Sequence, residues 1–206
     1  MTITLRSIAP LAAALAAALV KGAHASFYFV ASLSAWQFEA SAPATRANLF
    51  DYLPYSFPTQ EVPGSILSNL GVNLSSSAPL MASCVPTTGI WWINPTAPGA
   101  SIEIRFDTPQ TAIYLNTNAI LPNGNFYPTG FGSTKSFYAG DTLIASTVTG
   151  TTGIISTVAI DRVVVTPNEA ENWVYIGPTF YFVPAPGALA LVALAPAVRG
   201  GRRRRE

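Results

Sequence analysis

The chain has 206 residues, half of them hydrophobic and only 10% charged, with a formal net charge of +1. That length fits one domain with or without targeting segments at its ends. Between residues 26 and 183 only Arg46, Arg105, Lys135 and Arg162 are basic, against nine acids; the resulting net of −5 excludes a phosphate-binding surface and predicts no nucleic-acid partner, while a single cysteine, Cys84, excludes an intramolecular disulfide.

Residues 1–25 read as a secretory signal peptide. Arg6 supplies the positive start, residues 8–20 the apolar run, and Ala23-His24-Ala25 the small-x-small site. Cleavage by signal peptidase is expected between Ala25 and Ser26. His24 is the only histidine, so the mature chain would carry no imidazole, which rules out Ser-His-Asp and Cys-His catalysis and any His-bearing zinc site.

The span 26–182 reads as an all-β domain. Strands are expected at 27–33 and 36–39, and a short helix at 44–53, capped by Ser41 and stopped by Pro54. Cys84 sits among apolar neighbours and reads as an inert thiol. A strand follows at 90–93. The cleanest pattern lies at 101–106, with Ile102, Ile104 and Phe106 on one face and Glu103 and Arg105 on the other. Asp107-Thr108-Pro109 is expected to break it, and 111–115 to resume. Asn123-Gly124 marks a turn. Further strands are expected at 136–138, 143–148, 154–158, 162–166 and 173–183. Short strands at close spacing predict an antiparallel β-sandwich, a jelly roll of eight to ten strands, flanked by the signal helix and a short apolar C-terminal helix.

The chemistry on this domain is sparse. Nucleotide-, metal- and nucleophile-binding motifs are absent from the sequence. No carboxylate pair is singled out for glycoside chemistry, so no catalytic residue and no metal ligand is expected; a glycosidase would need two carboxyls in one cleft, about 5 to 9.5 Å apart. No cofactor is predicted. The loop holding Glu169 and Glu171 could supply oxygen ligands to Ca²⁺, but without EF-hand spacing its plainer reading is a solvated loop. The aromatics offer a second reading. Trp91, Trp92, Tyr127, Phe131 and Tyr138, with Trp173, could form a platform for sugar rings. On a strand, Trp91 and Trp92 must point to opposite faces.

Residues 183–206 form a three-part tail. Val183-Pro184-Ala185-Pro186-Gly187 is a proline-hinged break, residues 188–198 are apolar, and Arg199, Arg202, Arg203, Arg204 and Arg205 close the chain. Such an order halts export at the membrane, with the arginines held on the cytoplasmic side. This tail resembles the PEP-CTERM sorting signal of Gram-negative bacteria in its V-P-A-P-G-A-L-A-L variant. The resemblance implies processing by an exosortase, transient residence in the inner membrane, and a final place on the cell surface or in the extracellular, exopolysaccharide-rich biofilm matrix. The central span also resembles the β-sandwich domains found before such tails, through Ile104-Arg105-Phe106 with Pro109 and Ala112, and through the strand at Trp173-Val174-Tyr175-Ile176. The expected function is therefore an exported, non-catalytic surface or matrix protein; the alternatives are a carbohydrate-binding jelly-roll module and, behind it, a secreted glycoside-active enzyme.

Overall fold

The computed structural model describes residues 26–53, 59–85, 90–127 and 131–186, and for residues 84, 85, 90 and 91 the backbone alone. The expected signal helix, the apolar C-terminal helix, Ala23, Ala25, Gly187 and the tail arginines lie outside the described residues. Among those described, the chain forms mostly antiparallel β-sheet with one α-helix, as the patterning predicts. No helix of the described residues is long and apolar enough to cross a membrane.

The spine is a ribbon of two long strands, β7 (Ile102–Ile120) and β10 (Thr151–Pro167), paired antiparallel from Ile102↔Val165 to Asn116↔Thr151. At one end of the ribbon, β4 (Val72–Ser76) joins β7, and β8 (Ser133–Ala139) with β9 (Thr142–Thr147) extends β10. In the middle, β12 (Thr179–Pro184) and β2 (Thr45–Asn48) lie beyond β7, and β1 (Phe27–Val30) lies beyond β10. At the far end of β7, β11 (Trp173–Ile176), β6 (Ile90–Pro95), β5 (Leu80–Val85) and β3 (Thr59–Glu61) follow in that order.

The ribbon bends because its register slips on both strands. The β7 partners jump from Gln110↔Ile160 to Arg105↔Arg162, and from Gln110↔Ile160 to Ala112↔Ile155. Asp107-Thr108-Pro109 therefore does not end the strand as expected; it makes a bulge within it. A bulge is where a proline is tolerated in a sheet, and Pro109 keeps its carbonyl in use by accepting from the Ala185 N–H at 2.9 Å. The inserted residues flip the alternation. Ile102, Ile104 and Phe106 face the core before the bulge, Ile113 and Leu115 after it. On β10, Ile154 and Ile160 give way to Val163 and Val165 in the same manner. One core thus collects side chains from every part of the ribbon, each fully buried aliphatic adding about 1.5–3 kcal/mol.

Several expected elements differ. The segments at 27–33 and 36–39 are not two strands: β1 ends at Val30 and Leu33–Glu39 is a helix, α1. The Ser32 side chain caps it by accepting from the Ala35 N–H at 3.3 Å. Leu33 and Trp36, one turn apart, pack on the outer face of the middle sheet against Ala112, Tyr114 and Val183. The helix expected at 44–53 is β2 followed by a single 3₁₀ turn, Leu49–Asp51. Ser41, expected to open that helix, sits at φ 53° just past the end of α1, the left-handed position that closes a helix. Pairing with β12 fixes the residues after it as strand. The run at 173–183 is split at Gly177-Pro178 into β11 and β12, both on the same edge of β7. Val183, expected to begin the tail, is buried in β12, and Pro184 still pairs with Gln110. Among the described residues twelve strands are found, where eight to ten were expected. β3, β4 and β5 were not expected: β3 and β4 offer too few apolar positions to show a period, and β5, apolar at Leu80, Met81, Ala82, Cys84 and Val85, runs without alternation.

Candidate functional site

Alternation on the sheet beyond the end of β7 sorts its side chains into two sets. Leu80, Ala82, Ile93, Val174 and Ile176 enter the core. The opposite face carries Ser83, Trp92, Asn94, Trp173, Tyr175, Asn118 and Ile120, as the register Ser83↔Trp92, Ile93↔Ile176 and Tyr175↔Asn118 requires. This outer face holds an open cleft of about 330 Å³, lined by Ser83, Trp92, Asn94, Ile120, Trp173 and the Leu121-Pro122 and Gly124 turn.

Aromatic rings build the cleft. Trp92 is its floor, only 7% exposed. Phe126 meets it edge-on with ring centres 5.0 Å apart, Tyr175 lies 5.9 Å from it, and Phe126 and Tyr175 are 5.4 Å apart. These are the offset and T-shaped arrangements that ring quadrupoles favour. Trp173, half-buried, forms a wall; its indole N–H donates to the Thr96 carbonyl at 3.4 Å. The buried indole N–H of Trp92 finds no acceptor among the described residues. Ser83 donates to the Asn94 side-chain oxygen at 3.0 Å, and the Asn94 amide donates to the Pro95 carbonyl at 2.9 Å. The rim is the predicted turn. Leu121 N–H donates to the Asn125 carbonyl at 2.8 Å, and Gly124 takes φ +81°, a conformation that glycine adopts without steric cost.

Asn118 anchors this rim to the sheet. Its side-chain oxygen accepts from the Ala119 N–H at 2.9 Å and the Gly132 N–H at 3.3 Å, and its amide donates to the Tyr127 carbonyl at 3.2 Å. It also hydrogen-bonds the Tyr175 hydroxyl, whose pKa burial nevertheless pushes up.

The expected platform residues divide. Trp92 is in the cleft. Trp91 is on β6, its backbone paired with Cys84, and its side chain lies outside the described residues. Tyr127 turns away from the cleft, packing over Gly132 and donating to Glu169 at 3.5 Å. Phe131 is 48% exposed in the following segment, its carbonyl accepting from Asn168 at 2.6 Å. Tyr138 is on β8, in the other sheet, with the Arg162 guanidinium 4.4 Å above its ring. The structure therefore does not gather these five into one patch. Phe126 and Tyr175, and not Tyr127 or Tyr138, are the aromatics that pack on Trp92. The signal for Tyr175 was in the sequence: Trp173 and Tyr175 alternate around the core residue Val174.

Acid–base chemistry is sparse at this site. No carboxylate lines the aromatic cleft, and a second groove lined by Ser75, Ser76, Ser77, Gly99, Ser101 and Val164 carries Glu103 alone. Glu103 points outward as expected and pairs with Arg105 at 2.7 Å and Arg162 at 3.5 Å. In the loop considered for Ca²⁺, Glu169 accepts from Asn172 at 3.0 Å, and among the described residues no three His, Cys, Asp or Glu side chains are grouped to hold a metal.

One buried charge escaped the sequence reading. Lys135 is fully buried on β8. Its ammonium donates to the carbonyls of Thr149 and Gly150 (2.6 Å to Gly150) and to the Thr117 hydroxyl at 3.1 Å. Desolvation pulls its pKa down to about 7. It ties the β9–β10 turn to Thr117, which is where β7 passes from β12 to β11 and the cleft sheet begins.

No protein-family model matches the chain, and neither does any curated protein. Among solved structures it is similar to a protein described as a carbohydrate binding module of family 29, at 11% identity over 69% of this chain and 91% of that one, with a TM-score of 0.38. It is also similar to a family 29 carbohydrate binding module from Piromyces equi, at 13% identity over 71% of this chain and 95% of the other, with a TM-score of 0.36.

Proposed function

We propose that this chain is a non-catalytic glycan-binding β-domain of an exported protein. The observation that carries the reading is the cleft on the outer face of the β11–β6–β5 sheet. It joins two tryptophans, one of them backed edge-on by Phe126, with a serine and an asparagine side chain, and no acid or base lines it. Flat aromatic faces bury the C–H faces of pyranose rings at little cost in side-chain entropy, and neutral hydroxyl and amide groups match sugar hydroxyls. Rings held by packing against one another, as Trp92, Phe126 and Tyr175 are, come to a ligand already ordered.

The placement outside the cell is supported by the sequence at both ends: the leader before Ser26, and the proline-hinged apolar stretch closed by arginines. On this reading signal peptidase and an exosortase are processing partners, and the domain holds matrix polysaccharide at the cell surface or beyond it. Affinity electrophoresis through gels containing polysaccharides tests the binding. Retarded migration that Trp173→Ala abolishes supports it; unretarded migration in every gel refutes it. Intact mass of the protein from its native cells tests the export. A species beginning at Ser26 and lacking Arg202–Glu206 is expected, and an untrimmed chain would contradict the sorting.

A further inference from the structure

We propose that the cleft takes an uncharged oligosaccharide, laid along β6 and β11, and rejects acidic glycans; the proposal rests on the glycan-binding reading above.

The first ground is charge. The side chains lining the cleft are serine, asparagine, aliphatic and aromatic. A uronate carboxylate placed there would lose water and meet no cation, an uncompensated desolvation. The basic residues of the domain lie elsewhere. Arg105 and Arg162 pair with Glu103 on the outer face of the other sheet, and Arg162 also lies 3.8 Å from Asp141. Arg46 is on β2, paired with β12, and Lys135 is buried in the core. With nine acids between residues 26 and 183, the long-range field also repels polyanions before contact.

The second ground is length. Ile93 pairs with Ile176. Carrying that register along the strands sets Trp92 opposite Gly177 and Trp173 opposite Thr96. The indole hydrogen bond from Trp173 to the Thr96 carbonyl agrees with that placement. The two tryptophans are thus offset by four residues, about 14 Å along the strands at roughly 3.4 Å per residue. That exceeds a single sugar ring. Asn94 and Tyr175 occupy the row between them. A ligand touching both walls is a chain of several residues, and a monosaccharide reaches only one.

The test is isothermal titration of the purified protein with a panel of neutral hexasaccharides from glucan, mannan, xylan and galactan, the corresponding monosaccharides, and the acidic polymers alginate and polygalacturonate, each at low and high salt. The expected result is binding of at least one neutral hexasaccharide, insensitive to salt, with its monosaccharide at least about tenfold weaker because one ring contact is lost. Trp173→Ala should remove the advantage of the hexasaccharide over the monosaccharide with the melting curve preserved, since Trp173 is half-buried on a wall. Tight binding of an acidic polymer that weakens with salt would overturn the proposal while leaving glycan binding standing. Equal affinity for mono- and hexasaccharide would overturn it too, as would unchanged binding by folded Trp173→Ala. Silence across the whole panel would instead sink the glycan-binding reading itself.

Discussion

The indole of Trp36 occupies the space that a side chain on Gly153 would fill. A Cβ at Gly153 would stand 2.8 Å from the Trp36 Cγ and 2.8 Å from the Tyr114 Cδ2. Trp36 is fully buried, its ring centre 5.8 Å from that of Tyr114, and its N–H donates to the Ile154 carbonyl at 3.3 Å. The glycine on β10 is thus the seat that lets α1 lie on the sheet and bury the face of β7 carrying Ala112 and Tyr114.

Gly153→Ala should destabilise the domain by about 1–3 kcal/mol, the usual cost of overpacking a filled site. Urea titration measures it. In a Trp36→Ala background the same Gly153→Ala change should cost less, because its main clash is then gone and only the Tyr114 contact remains. A fully additive pair would contradict the contact.

Lys135 makes stability depend on pH. Its folded pKa, lowered to about 7 from the ordinary 10.5, lies below the unfolded value. The unfolded chain therefore binds the extra proton between those values, and stability rises as pH climbs from about 7 toward 10. Below pH 7 the penalty of burying the ammonium is fully present. The slope should approach and not exceed about 1.4 kcal/mol per pH unit. Lys135→Met should flatten the profile in denaturant titrations at pH 7 and 9.5. An unchanged slope would mean that the amine stays charged in its cage of carbonyls.

Asn118 should matter more than its size suggests. Asn118→Ala strands the Ala119 and Gly132 N–H groups and the Tyr127 carbonyl, a loss of about 2–3 kcal/mol. Hydrogen exchange should show it as faster exchange at Gly132 and Tyr127 before any change at Ile104 in the core. Uniform acceleration across the domain would argue against a local anchor.

What the sequence disclosed follows from which forces were local. The alternation through Ile102, Ile104 and Phe106 is read directly, because each side of a strand meets a different medium. Gly124 in its turn is read for the same reason: the backbone angle demands it. Trp36 was misread as part of a strand because its burial depends on Gly153, more than a hundred residues away. β2 was misread as helix because β12 decides it. The flip of alternation across Pro109 is visible only once a continuous strand is known. At the cleft, Trp92 was legible as one of two adjacent tryptophans that must face opposite ways on a strand, and Trp173 as an aromatic alternating with Val174. Phe126 was not, since nothing local tells which of Phe126 and Tyr127 turns toward Trp92.

Tryptophan fluorescence tests the account where it is most exposed. Trp92 and Trp173 line one cleft, so titrating the protein with a neutral oligosaccharide should shift and saturate the emission, and Trp173→Ala, still folded, should saturate only at concentrations at least about tenfold higher, those its monosaccharide needs. A shift that saturates in the variant at the wild-type concentration would place the ligand elsewhere; an emission indifferent to every neutral oligosaccharide would mean that the aromatic face is no sugar platform.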